Sequence, residues 1–160
     1  MAPIPRLDPV LRDATGELLL RRATQGDSDF AFAMREAAFR IYVDKSGGWD
    51  EQEERRRHER NFAVYDYRVI SLRETARGIM SIDISGDCIK LNQLFLAPEY
   101  QGQGIGGRCV ALLLIEAQRL DLPIRLRVMK VNPRAKALYE RLNFAVIGET
   151  ETHFTMERLP

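Results

Sequence analysis

Four of the chain's 11 glycines fall within six residues, Gly102, Gly104, Gly106 and Gly107. A segment this rich in glycine turns tightly and brings its backbone N–H groups close to a ligand, with no Cβ in the way. The apolar set Val110, Leu113, Leu114 and Ala117 follows at helical spacing, so the loop opens a helix. The unpaired N–H groups and positive dipole end of that helix make the loop a place for phosphate or pyrophosphate. A Walker A loop is excluded, because no Lys-Ser or Lys-Thr follows. The dinucleotide pattern Gly-x-Gly-x-x-Gly is met at Gly102, Gly104 and Gly107. Its context is wrong, however. Five residues separate Leu96 from Gly102, and the next strand runs toward Lys130 rather than an acidic residue for a ribose. NAD binding is therefore rejected.

The elements that must hold this loop can be read from periodicity and punctuation. Glu17–Arg22 reads as a strand, and Phe30, Met34, Ala37, Ala38 and Ile41 recur as one face of a helix over 28–43. Gly47-Gly48 break it, and a charged helix follows at 50–60. Val64–Leu72, Gly78–Ser85 and Cys88–Leu96, joined by short turns, read as an antiparallel meander. The helix after the glycines spans 105–119 and the next strand Ile124–Met129. Asn132-Pro133 then caps a short helix that buries Ala135, Leu138, Tyr139 and Leu142 and ends at Asn143. Strands at 144–149 and 152–158 close the chain. The expected fold class is α/β, one domain over 16–160 with a mixed, mostly antiparallel sheet flanked by about four helices. Residues 1–15, with Pro3, Pro5 and Pro9, are expected to be a flexible leader.

Composition narrows the function classes. A chain of 160 residues with 45% hydrophobic and 29% charged residues is enough for one ordinary core. A formal net charge of +1 gives no global field toward nucleic acid or membrane. Cys88 and Cys109 form neither a metal spacing nor a disulfide framework. The expectation is a cytoplasmic protein with no metal, no nucleic-acid partner and no membrane partner. The run Arg55-Arg56-Arg57-His58-Glu59-Arg60 is preceded at i−4 by Glu51, Glu53 and Glu54, and so reads as a self-paired solvated helix face.

The segment Leu94-Phe95-Leu96-Ala97-Pro98-Glu99-Tyr100, then Gln101-x-x-Gly104-x-Gly106, resembles the acyl-CoA signature of the GNAT superfamily of N-acetyltransferases. Val131 to Phe144 resembles the second CoA segment of that superfamily, with Asn143 where glycine is usual. The resemblance covers about residues 17–158. It implies a GNAT-like fold and an acetyl-CoA-dependent N-acetyltransferase in which a primary amine attacks the thioester directly in a ternary complex. Acetyl-CoA would lie in a V-shaped opening between Cys88–Leu96 and Ile124–Met129. Its pantetheine would run beside Leu94, Phe95 and Leu96, and its pyrophosphate would sit on Gln101, Gly102, Gln103, Gly104, Ile105, Gly106 and Gly107. Asn132 and Ala135 would hold the arm, and Tyr139 would contact it and act as general acid. Tyr139 also falls on the buried stripe of its helix, and Asn132 also reads as a helix cap.

An amine must lose a proton to attack. Asp83, Glu36 and His153 are the base candidates. The resemblance puts the acceptor site between the first two helices, at Phe39, Tyr42, Trp49 and Asp50. Aromatic rings beside carboxylates there suit a cationic amine, although Trp49 packing under a helix and Asp50 capping one is the plainer alternative. The acceptor is expected to be a small-molecule or peptide amine, and a homodimer is an open expectation. The competing function is a non-catalytic acyl-CoA-sensing or interaction module of the same fold.

Overall fold

The computed structural model describes residues 3–160. An eight-stranded sheet carries four helices, two on each face. In chain order the elements are β1 (Val10–Arg12), β2 (Leu18–Arg22), α1 (Ser28–Asp44), α2 (Glu51–Val64), β3 (Asp66–Leu72), β4 (Thr75–Ser85) and β5 (Cys88–Leu96). Then come α3 (Ile105–Leu120), β6 (Ile124–Met129), α4 (Pro133–Arg141), β7 (Ala145–Glu149) and β8 (His153–Arg158). The spatial order is β1-β2-β3-β4-β5-β6-β8-β7, and every pairing is antiparallel except β5 with β6. A parallel pair needs a crossover, and α3 supplies it.

Alternation along the strands sorts the two faces. Leu18, Leu20, Ile70, Met80, Ile82, Ile89, Leu91, Leu126, Val128 and Met156 point to one side and form the main core with α3. The other side buries a smaller cluster, Ala31, Tyr67 and Ile79, with Phe95 packed against it. Helices α1 and α2 cover that face from β3 to β5. Beyond β5 it carries Arg125 and Arg127 of β6 and His153, Thr155 and Glu157 of β8, none of them fully buried.

The N-terminal segment differs from the expected flexible leader. Residues 1–2 lie outside the described residues, but Val10–Arg12 pairs with β2, and Leu7 and Leu11 are buried. The prolines prevent a helix, yet two leucines anchor the segment and buried polar groups need it. Arg68 on β3 is fully buried and donates to the carbonyls of Asp8 (2.7 Å) and Pro9 (3.2 Å). Glu116 on α3 accepts from the Asp8 N–H at 2.9 Å, and Arg108 holds Asp13 (Nε–Oδ2 3.1 Å). The β3–β4 turn is also tighter than expected, because Arg73 and Glu74 both take positive φ (50° and 68°), which lets β4 begin at Thr75.

Candidate active site

A bulge and a splay create the site. Ser81 pairs with Gln93 and Ile82 with Leu91, so Asn92 is an extra residue in β5. Pairing of β5 with β6 runs only from Ile89–Ile124 to Leu91–Leu126. Beyond Leu91 and Leu126 the two strands part. The backbone direction follows from parity. Ala97 donates to Arg77 of the β4 side at 2.8 Å, so Leu96 and Leu94 turn their N–H and C=O groups the other way, into the gap. The Leu96 carbonyl there accepts from Gln101 Nε2 at 3.1 Å. The Leu94 and Leu96 N–H groups face a cleft of ≈ 910 Å³.

The glycine loop closes one end of this cleft. Gly102 (φ 74°) and Gly104 (φ 80°) occupy the left-handed region, where an L side chain is strained. Gly104 is the N-cap of α3. The N–H groups of Ile105, Gly106 and Gly107 therefore have no acceptor within the helix. A Cβ on Gly102 would stand 2.9 Å from Arg134 Nη2, so a guanidinium from the start of α4 hangs over the same loop. Donors, a dipole end and a cation converge here, and that set fits a pyrophosphate. Of the loop residues, Gln101, Gly102, Gly104 and Gly106 line the cleft. The Ile105 side chain is buried in the core instead. Gln103 turns outward and donates to the Glu99 carbonyl at 2.8 Å. A Cβ on Gly107 would stand 3.9 Å from Leu138 Cδ1, so this glycine faces α4.

Helix α4 lines the cleft with Asn132, Arg134, Ala135, Leu138, Tyr139 and Arg141. Asn132 is the N-cap, its Oδ1 accepting from the Ala135 N–H at 3.1 Å. The side-chain NH₂ then makes no bond to another described residue. The Tyr139 ring is buried and meets Phe144 edge-on at 5.6 Å. Its hydroxyl bonds no described residue, and burial pushes its pKa above the usual phenol value. Core packing and presence at the cleft hold together for this side chain.

The base candidates separate. Asp83 and His153 line the cleft, and Glu36 does not. Glu36 sits on the outer side of α1, 3.9 Å from Arg40. Asp83 lies across from Lys90 on β5, one residue from the point where the strands part. His153 pairs with Met129, toward the open end. Its Nδ1 is 2.8 Å from Thr152 Oγ1. Burial, with the nearby Arg127 charge, lowers its pKa, so the neutral imidazole prevails near pH 7.

The acceptor candidates separate as well. Phe39 stacks on Phe95 (5.1 Å), and both line the cleft with Tyr42. Trp49 and Asp50 do not line it. Trp49 packs on Phe32 (6.1 Å), donates from Nε1 to Glu51 (2.9 Å) and lies beneath Arg35 and Arg40. Asp50 caps α2 by accepting from the Glu53 N–H at 3.1 Å. The sequence also left Arg35 unnoticed. It is buried against Glu54 (2.7 Å) and joins α1 to α2 at the cleft wall. Glu54 thus pairs inward rather than with His58, whose Nε2 meets Ser28 Oγ at 3.0 Å. Arg35 lies between Phe32 and Phe39 on one face of α1, and this spacing was the available signal.

Among the described residues no group of three His, Cys, Asp or Glu side chains could hold a metal ion. No helix among them is long and apolar enough to cross a membrane.

A family model described as "Acetyltransferase (GNAT) family" matches residues 30–144. No curated protein matches the chain. Among solved structures, the fold is similar to the PaiA N-acetyltransferase of Thermoplasma acidophilum in complex with coenzyme A. That match has a TM-score of 0.71 at 17% identity, covering 89% of this chain and 99% of the other. The acetyltransferase of Salmonella typhimurium that modifies the N-terminal serine of ribosomal protein L7/L12 gives 0.74 at 15% identity, covering 94% and 99%. The ribosomal-protein-S18-alanine N-acetyltransferase of Escherichia coli gives 0.69 at 18%, covering 89% and 93%.

Proposed function

Since the chain belongs to the acetyltransferase (GNAT) family, a family of acyl-transfer enzymes, we propose that it moves an acetyl group from acetyl-CoA to a primary amine by direct attack in a ternary complex. The observation that carries this reading is the splay of β5 from β6 beside the glycine loop. Pyrophosphate on the amides of residues 102–107 and Arg134 would leave the pantetheine arm to run along β5. From Leu96 to Leu91 is ~16 Å at ~3.3 Å per residue, so the thioester would approach the apex where the strands rejoin. The free N–H groups of Leu94 and Leu96 are donors for the arm and for the thioester carbonyl. Polarising that oxygen as negative charge builds on it is an oxyanion-hole role. The Asn132 NH₂ is a further donor to the arm.

The amine nitrogen bonds to the carbonyl carbon, and the C–S bond then breaks. Sulfur leaves as a thiolate, the conjugate base of an acid with pKa near 8.5, unless it gains a proton. Tyr139, a phenol protonated at neutral pH whose pKa burial raises further, is the proposed donor. The proton lost by the amine goes to Asp83, directly or through water. Asp83 is the sole carboxylate on the cleft wall among the described residues, and it is closer to the apex than His153. The buried thiols Cys88 and Cys109 take no part and suit a reducing, cytoplasmic setting.

Two measurements test the reading. Acetyl-CoA at 100 times its dissociation constant is expected to stabilise the fold by about 2.7 kcal/mol, or ~5–10 °C in Tm for a chain of this size. NAD and ATP at equal concentration are expected to do much less. Free-thiol release from acetyl-CoA in the presence of an amine panel then measures transfer. A shift without turnover of any amine would favour an acyl-CoA-sensing module, and the absence of a shift would overturn the reading altogether.

A further inference from the structure

Among the described residues the cleft wall carries seven cationic side chains and a single carboxylate. Some are neutralised: Arg125 pairs with Glu157 (2.5 Å), and Arg35 with Glu54. Arg134 belongs to the glycine loop. Arg57 lies 3.8 Å from Glu54. Lys90, Arg127 and Arg141 remain, with no carboxylate within 4 Å and no side-chain hydrogen bond among the described residues; Arg141 ends α4, whereas Lys90 and Arg127 stand on the sheet.

Their placement is specific. Leu91 and Leu126 are the last paired residues of β5 and β6. Lys90 stands one residue before that point and Arg127 one residue after it. Both alternate to the face opposite the α3 core, the face on which α1 and α2 end. Asp83 lies across from Lys90 in the same row, at the ~5 Å spacing of directly opposed strand residues, yet the two make no ion pair. Arg57 of α2 lines the same side, sharing the single carboxylate of Glu54 with Arg35. One acid and several cations thus ring the apex where the thioester would arrive. That pattern opposes polyamines and other polycations, and it offers Asp83 rather than Asp50 as the carboxylate for an ammonium.

We propose that the acceptor is an amine carrying an acidic group close to its nitrogen, with the ammonium drawn to Asp83 and the acid seated on Lys90 and Arg127. The proposal rests on the transferase reading above. A free amino acid and an acidic peptide N-terminus both supply this chemistry.

The test uses matched acceptors in the thiol-release assay. One arm compares amino acids with their amides. The other compares peptide amides that differ only by Glu or Gln at the second residue. The expected result is a kcat/KM at least ten-fold higher for the acidic member in one arm, and that arm identifies the source. The preference is expected to shrink in added salt. It is also expected to collapse through a raised KM in Arg127→Gln and Lys90→Gln, while the acetyl-CoA thermal shift stays as in the wild type. Equal or better turnover of the neutral members overturns the proposal and leaves the transferase reading standing. A preference unchanged in both variants overturns it too, as does silence from every acidic member while a neutral or cationic amine is acetylated. Loss of the acetyl-CoA shift in the wild type, by contrast, condemns the transferase reading itself.

Discussion

Tyr139→Phe should make the protein slightly more stable and far less active. The substitution keeps the ring, so the edge contact with Phe144 and the packing in the main core persist. What disappears is a hydroxyl that bonds no described residue on a side chain only 8% exposed. A polar group held out of water without a partner costs about 1–3 kcal/mol. This one reaches a wet cleft, so the gain from removing it is smaller, ~0–1 kcal/mol, or ~0–4 °C in Tm. Turnover moves the other way. Without a proton donor the thiolate leaves unassisted, and kcat falls by about 10²–10⁴, equivalent to ~3–5 kcal/mol of barrier. The affinity for acetyl-CoA stays close to wild type, because the ring that lines the cleft is kept. Burial holds the phenol's pKa above its usual ~10, so the wild-type-to-variant ratio is expected to stay flat from pH 6 to pH 9.

The assay is single-turnover thiol release, with calorimetry on the same samples. An acyl donor with a more acidic thiol should recover part of the lost rate in the variant and little in the wild type. A distorted site would not be rescued by a better leaving group, so the comparison separates lost chemistry from lost structure. Near-normal kcat in Tyr139→Phe, with chemistry shown to limit the rate, would refute the acid role and leave only the packing role.

Other perturbations act on the scaffold. Glu54→Ala strands Arg35, whose side chain is 6% exposed, and should cost about 3–5 kcal/mol in denaturant unfolding. The double change Arg35→Met with Glu54→Leu should recover most of that loss. Gly104→Ala has open space for its methyl but φ of 80°, so it should lower stability by ~1–2 kcal/mol, seen as a drop of a few degrees in Tm. Stability should fall in two stages as pH is lowered. His58 and His153 have pKa values depressed chiefly by burial, so the unfolded chain takes up their protons first, and the loss sets in below about pH 6.5. Asp13 and Asp27 are both held at about 2. For Asp13 burial works upward, but the hydrogen bonds of Thr15, Arg108 and Leu18 outweigh it, whereas for Asp27 the Arg21 guanidinium dominates. Their contribution is complete above about pH 4 and vanishes toward pH 2, so Asp27→Asn should flatten that second limb of a Tm-against-pH curve.

Periodicity located most of this fold because most of its strands are buried on one face or both. Cys88–Leu96 and Ile124–Met129 begin and end where punctuation puts them, since glycine, proline and turn residues flank both. The strand β1 is different. Val10–Arg12 is three residues long, and its reason to exist is remote: Leu7 and Leu11 fill the main core, and Arg68, some sixty residues away, needs carbonyls. No local pattern encodes a partner at that distance, and Pro3, Pro5 and Pro9 by themselves point to a loose segment. The bulge at Asn92 was hidden for a related reason, because an extra residue in a strand shows only against its partner's register.

The same limit separates the two halves of the candidate site. The phosphate end is a local device, a loop and the helix behind it, and its glycines announce it by type and spacing. The acceptor end is assembled by the sheet. Asp83, Lys90 and Arg127 come from three strands; the sequence offers Asp83 only as one base candidate among three, and Lys90 and Arg127 look like ordinary solvent-facing positions in their own alternation. They acquire meaning only when β5 and β6 rejoin at Leu91 and Leu126 and bring the row together. Trp49 and Asp50 show the opposite case: an aromatic beside acids is conspicuous in sequence, yet neither side chain lines the cleft, the Trp49 indole N–H is spent on Glu51 and the Asp50 carboxylate on the Glu53 N–H. A side chain already satisfied by its neighbours has nothing left to offer a substrate. Among the described residues Asp83, Lys90, Arg127, Arg141 and the Tyr139 hydroxyl line the cleft without a side-chain partner, and it is to such groups that the proposal assigns selectivity for the acceptor.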